Sequence, residues 1–248
     1  MLTSVSPNIP PEYRDFVALN LGRLDKSKTY VNKVRNYEKN TSVEVNFNFS
    51  NPSPTSRRAV WAVADPRFTF ISARHLFVEM PDDNFEPRVA DQRVGYFSER
   101  ITDLNTYDTY PARDVINKWR LEKKDPSLEL SEPINPIVFW VEKSTPEEIK
   151  PMVVKGIEAW NFAFERAGFK NAVIAKIQPD DADWDAGDIR YNVVRWSNSP
   201  EPAFSGYGPS IANPRTGELI AADIVQEFNA IKRGCLLYTS DAADERNS

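Results

Sequence analysis

The stretch EPINPIVFWVEKSTPEEIKPMVVKGIEAWNFAFERAGFKNA, Glu132 to Ala172, decides the fold. Within it, Ile137 to Val141 is a short apolar run of the kind that forms a buried strand. Thr145, Pro146 and Glu148 then supply an N-cap, a proline at the first helical position and a capping-box acid, the combination that starts a helix. Ile149, Met152, Val153, Gly156, Ile157, Trp160, Phe164 and Ala167 recur at three- and four-residue spacing, so they share one face of that helix. Gly168 stands where the helix should stop, because glycine tolerates the left-handed backbone that closes one. On this pattern Trp160, Phe162 and Phe164 are core or near-core positions and not a ligand box.

Toward the C-terminus, Ala172 to Ile177 and Ile189 to Trp196 read as strands. The link between them holds Asp180, Asp181, Asp183, Asp185 and Asp188 without the glycine and closing glutamate at the spacing of a calcium loop, so it reads as a solvated surface loop. FSGYGPSIANPRTGELIAADIV then gives an extended segment from Tyr207 to Ala212, a turn at Asn213 to Gly217 and a strand from Leu219 to Val225. A strand joined through a helix to a second strand favours a parallel pair, with a mixed sheet built outward from it.

Toward the N-terminus, Thr41 to Ser50 puts Val43, Val45, Phe47 and Phe49 on one side and Glu44, Asn46 and Asn48 on the other, the alternation of a half-buried strand. The turn-rich Asn51 to Ser56 ends it. Arg58 to Ala64 and Phe68 to Ala73 read as further strands around the Asp65-Pro66 turn, and Asn32 to Tyr37 as a short helical piece. From Pro81 to Pro136 the pattern is irregular, a connecting segment ordered by Phe85, Tyr96, Phe97 and Trp119. The expected class is therefore α+β: a mainly antiparallel β-rich domain at 1–84, a connecting segment at 85–131, and a mixed sheet with one long helix at 132–234.

Residues 235–248 stand apart. CLLYTSDAAD, from Cys235, has no apolar period, and the codons TGT CTC TTA TAC ACA TCT GAC GCT GCC GAC of a transposase adapter encode those ten residues in order. The segment reads as an adapter-derived artefact, against the alternative of a flexible acidic tail, and is set aside from fold reasoning. With it goes the single cysteine, so no disulfide or thiolate metal site is available before it.

Composition narrows the function classes. The 248 residues carry 41% hydrophobic and 27% charged side chains with a net charge of -5, and both signs are interleaved. That leaves no basic footprint for nucleic acid. No apolar run is long enough to span a bilayer, and Met1 to Pro11 shows no signal-peptide pattern. The nineteen prolines are scattered and no internal repeat is evident.

Four segments carry a family resemblance: FEPRVADQRVGYF (Phe85 to Phe97), INKWRLEKKDP (Ile116 to Pro126), Glu132 to Ala172 as quoted above, and YGPSIANPRTGELIAADIV (Tyr207 to Val225). In these the chain resembles the bacterial zinc-dependent metalloproteases with a metzincin-like catalytic region behind uncharacterised N-terminal domains. The resemblance implies a periplasmic or secreted zinc endopeptidase acting on a peptide or protein substrate, in which a zinc-bound water attacks the scissile carbonyl and a glutamate acts as base. The metal helix of that family, HExxHxxGxxH, is missing here. His75 is the one histidine and reads as a structural or exposed residue, so the chain is expected to be a fragment without catalytic activity, zinc belonging to the complete protein.

By the same resemblance, Gly206, Tyr207, Gly208, Pro209, Ser210, Ile211 and Ala212 form the sheet edge along which substrate lies, since an added strand gains main-chain hydrogen bonds whatever its sequence. An ordinary glycine-containing surface loop is the alternative for these residues. The phrase around Arg88, Asp91, Arg93 and Tyr96 marks the family without a mechanism, and the first region is expected to act as a prodomain or brace. The competing function is a non-catalytic secreted peptide-binding or adhesion module. A further expectation is that the sheet, lacking the metal helix, exposes apolar surface and aggregates.

Overall fold

The computed structural model describes residues 22–52, 65, 67–81, 84–199, 204–229 and 232. The strand expected at Arg58 to Ala64 and the adapter-like Cys235 to Ser248 lie outside them. The chain divides into two compact units, Met1–Val78 and Glu79–Ser248. The class is α+β, with strands dominating and the helical residues confined to the second unit among the described residues.

The first unit is an antiparallel sheet. Strand β1 (Arg23–Leu24) and β2 (Tyr30–Asn36) both pair with β3 (Asn40–Ser50), which pairs along its whole length with β4 (Phe68–Val78). Val45 and Phe47 of β3 are buried, and Phe47 meets the His75 ring of β4 edge-on at 6.2 Å. The helical piece expected at Asn32 to Tyr37 is instead most of β2. Val31 and Val34 there pair with Val45 and Val43, and this cross-strand register overrides the weak local helical signal.

The second unit opens with a hairpin, β5 (Ser98–Thr102) with β6 (Ala112–Ile116), where the sequence suggested only irregular chain. A mixed sheet follows. The elements in chain order are β7 (Ile137–Val141), helices α1 (Lys150–Glu158) and α2 (Asn161–Arg166), β8 (Val173–Ile177), β9 (Asn192–Ser197), β10 (Gly206–Tyr207), β11 (Ser210–Ala212), β12 (Leu219–Ala222) and β13 (Ile224–Glu227), of which β11 and β12 pair as a separate two-stranded sheet. The five-stranded order is β10-β13-β9-β7-β8, parallel throughout except for β10. The segment 85–131 belongs to this unit, through bridges of Val89 to Val115, Lys118 to Glu218 and Ser131 to Phe169.

The expected single helix is two. Ile149 is its N-cap and makes no side-chain cap bond, while Thr145 is buried and its N–H donates to the Glu142 carbonyl. Pro151 explains the late start: in a helix begun at Pro146 it would sit in the interior, where its ring and missing N–H break the ladder, whereas a start at Lys150 leaves it in the first turn. A second break at Ala159 and Trp160 separates α2. Val153 and Ile157 are buried against Ile137, Val141, Val173 and Val194, with Phe164 packed beside them. Met152 and Trp160, expected on that face, are 68% and 64% exposed, contrary to the periodicity, and Phe162, read as near-core, is 66% exposed with Arg166 over its ring at 4.4 Å. Gly168 does close α2, at φ +89.

This division of the helical residues is testable. Ile157→Ala should lower the unfolding free energy by about 2–4 kcal/mol through the cavity it leaves, whereas Trp160→Ala should change it by no more than about 0.5 kcal/mol. Denaturant melts of both variants check it; equal losses would restore Trp160 to the core.

Candidate functional site

The residues from Gly206 to Ala212 run as one edge, in which β10 ends the mixed sheet and β11 pairs with β12 in an adjoining two-stranded sheet. Gly206 and Tyr207 pair with Gln226 and Val225, and Ser210 and Ile211 pair with Ala222 and Ala221, all in one antiparallel register. Gly208 and Pro209 bridge β10 to β11, so the whole segment is one edge, shifted in register only at Ala212. Among the described residues no strand pairs its outer side.

Which peptide groups face outward follows from the hydrogen bonds on the inner side. The Glu227 N–H donates to the Ser205 carbonyl at 3.1 Å and the Asp223 N–H to the Pro209 carbonyl at 3.0 Å. In an antiparallel ladder alternate residues turn both groups to the same neighbour, so Ser205, Tyr207, Pro209 and Ile211 point inward. Gly206, Gly208 and Ser210 therefore present their N–H and C=O groups to the open side. Proline lacks the donor a ladder needs, but at 209 the missing N–H falls on the inner side and the outer row stays intact.

Two acids brace the strand behind this edge. Asp223 separates β12 from β13, and its carboxylate accepts the Val193 N–H at 3.0 Å. Burial raises its pKa, partly opposed by that hydrogen bond and by Arg195. Glu227, 2% exposed, accepts the Ser199 N–H at 2.6 Å and the Ser199 hydroxyl at 3.0 Å, and these donors lower its pKa. Sequence reading passed over both. Asp223 carried a signal all the same, as the one acid inside the apolar LIAADIV.

The turn of the hairpin is anchored from the segment before the sheet. Arg120 makes a two-pronged ion pair with Glu218, at 2.6 and 2.9 Å, and the Lys118 backbone exchanges bonds with Gly217 and Leu219. Gly217 adopts φ +73 and a Cβ there would lie 2.4 Å from the Ile116 carbonyl oxygen, so only glycine fits. The Arg88 to Tyr96 phrase also gains a structural account. Val89 bridges Val115, the Ala90 N–H donates to the Asp114 carbonyl, and Asp91 pairs with Arg93, which lays this stretch along β6.

Other sequence candidates fall elsewhere. His75 lies in the first unit, and its buried Nε2 has no hydrogen-bond partner among the described residues. Of the aspartates at 180–188, Asp188 is buried and paired with Arg190 at 2.7 Å, which corrects the fully solvated reading, while Asp180, Asp181, Asp183 and Asp185 are exposed. Trp184 stacks on Tyr191 at 3.9 Å, and both meet Trp140 edge-on, so this loop folds back on the sheet through its aromatics. Among the described residues no group of three or more His, Cys, Asp or Glu gathers as a metal site, and no helix is long and apolar enough to cross a membrane.

Fold and geometry together define a mixed-sheet α+β protein with one antiparallel edge strand open to pairing. Residues 5–124 match the family described as a domain of unknown function, DUF5117. That similarity ends before the mixed sheet begins at Ile137. No curated protein and no solved structure matches the chain.

Two stability measurements test the bracing. Asp223→Asn, which keeps an acceptor for Val193, should be neutral or stabilising at neutral pH, whereas Asp223→Ala should cost about 1–3 kcal/mol by leaving that N–H buried without a partner. For Glu227 the folded pKa is lowered, so its contribution is present above the ordinary glutamate value and disappears as pH falls through the folded one. The stability gap between the parent and Glu227→Gln should therefore narrow on acidification below the ordinary glutamate range; a gap independent of pH would contradict the assignment.

Proposed function

We propose that the chain is a front portion of a secreted or periplasmic zinc-dependent metallopeptidase, and that its part in the reaction is to hold an extended peptide or protein substrate along Gly206 to Ala212. The observation that supports this is the single antiparallel strand ending an otherwise parallel sheet, with the peptide groups of Gly206, Gly208 and Ser210 turned outward. A substrate pairing there gains main-chain hydrogen bonds independent of its side chains, and a fixed strand geometry lowers the entropic cost of presenting one scissile bond.

The residues described do not fit a catalytic zinc. The sole histidine packs its ring against Phe47 in the first unit, and among the described residues no group of three or more His, Cys, Asp or Glu gathers to hold a metal. On this proposal the metal, and the glutamate base that works with it, belong to sequence following Gly234 in the uninterrupted gene. A second reading, a peptide-binding or adhesion module without catalysis, draws on the same edge, because strand addition needs no metal.

Long-read sequencing of the source DNA across the Gly234 codon separates the two. The expected result is that the adapter-like residues vanish, an HExxHxxGxxH helix follows soon after Ile231, and the extended protein digests a denatured protein substrate until EDTA is added. A continuation without histidines would transfer the edge to the binding-module reading.

A further inference from the structure

The two glycines of the edge strand are not required by the fold that contains them. Neither Gly206 nor Gly208 adopts a positive φ. A Cβ at Gly206 would lie 3.4 Å from the Val225 carbonyl oxygen, and one at Gly208 would lie 3.9 Å from the Asp223 oxygen and 4.0 Å from Ile224 Cγ1, ordinary contact distances. Gly217 in the same hairpin differs, since a Cβ there collides with backbone. Glycine also weakens a strand, so two of them at an edge with room for side chains answer to something outside the strand's own packing.

Their position says what that is. Gly206 stands opposite Gln226, and the shared register puts Gly208 opposite Ile224. Ile224 packs with the helix-side core beside its parallel partner Val194. Side chains alternate between faces along a strand, so Gly206, Gly208 and Ser210 share the helix-side face, while Tyr207, Pro209 and Ile211 share the other. Among the described residues the helix side of the edge is thus bare at Gly206 and Gly208, and beyond it Ile224 is only partly covered.

We propose that the bare positions at Gly206 and Gly208 make the edge selective for an extended peptide carrying a bulky apolar side chain, which lies across the glycines on the helix side and covers Ile224. This rests on the edge-strand reading above and adds the class of side chain accepted. The physical basis is twofold. Cross-strand neighbours on one face interact directly, and a large ring laid over a glycine of the adjacent strand shields backbone that the glycine leaves uncovered. On the opposite face Tyr207, 60% exposed, occupies the corresponding place and leaves less room.

The test is fluorescence anisotropy with the 248-residue chain and two dye-labelled peptides, one alternating threonine with phenylalanine and one alternating threonine with serine. The expected result is about tenfold tighter binding of the phenylalanine peptide, as burial of one or two rings predicts. Gly208→Val should erase the preference and Gly208→Ala should reduce it, with thermal melts showing that each variant is folded. Equal binding of both peptides by the parent chain overturns the selectivity and leaves the edge reading standing. Absence of binding to either peptide overturns both. Sedimentation that shows a concentration-dependent dimer, whose dissociation alone restores peptide binding, would make a second copy the natural occupant and overturn the proposal.

Discussion

A sheet must end somewhere, and at its end half of the peptide groups of one strand have no partner. Much of the second unit can be understood from how that constraint is met at Gly206 to Ala212. Strands β9 and β7 are held on both sides by parallel neighbours, β13 lies between parallel β9 and antiparallel β10, and the helix-side face is sealed by Val153 and Ile157 of α1 over Ile137, Val141, Val173 and Val194. The edge itself carries none of the usual protections: no lysine, no covering helix among the described residues, and a proline whose missing N–H falls on the paired side. An edge left in this state is available for strand addition, whether by a substrate, a ligand or another copy.

The edge is open but not loose. Its inner neighbour is tied into the sheet by Asp223, which accepts from Val193, and by Glu227, which accepts from Ser199. Its turn is fastened by the Arg120–Glu218 pair and by Gly217, which lies closely against Ile116. Both fastenings come from residues before the mixed sheet, so the segment 85–131 acts as a brace of the hairpin within its own unit. Preorganisation of this kind lowers the ordering cost of pairing with an incoming chain.

The α+β class and the strands at Ile137 to Val141, Ala172 to Ile177 and Ile189 to Trp196 were legible because burial on both faces writes continuous apolar runs, and glycine marks turns, as at Gly168 and Gly217, whereas the single strand expected from Leu219 to Val225 is two, β12 and β13, parted at Asp223. The extended run at Tyr207 to Ala212 was legible from the turn signals that bound it, although its even outward row emerges only once the register is known. What could not be read depended on contacts distant in sequence. Val31 and Val34 form a strand because β3 is there to pair with them. Trp160 keeps helical spacing yet faces outward, because Pro151 delays the first helix and a break at Ala159 and Trp160 resets the second. Glu227 looks like an ordinary surface acid until the chain following β9 supplies its donors, and Asp223, conspicuous inside LIAADIV, finds its donor only across the sheet on β9.

The central claim is that the odd and even residues of this strand play different parts, the even ones facing outward. Residue-resolved amide hydrogen exchange measures it directly. The account predicts fast exchange at Gly206, Gly208 and Ser210 and slow exchange at Tyr207 and Ile211 in the free chain, with the three fast amides slowing when an extended peptide is added. Uniform protection along the strand, or slowing at Tyr207 and Ile211 in place of the other three, would contradict it.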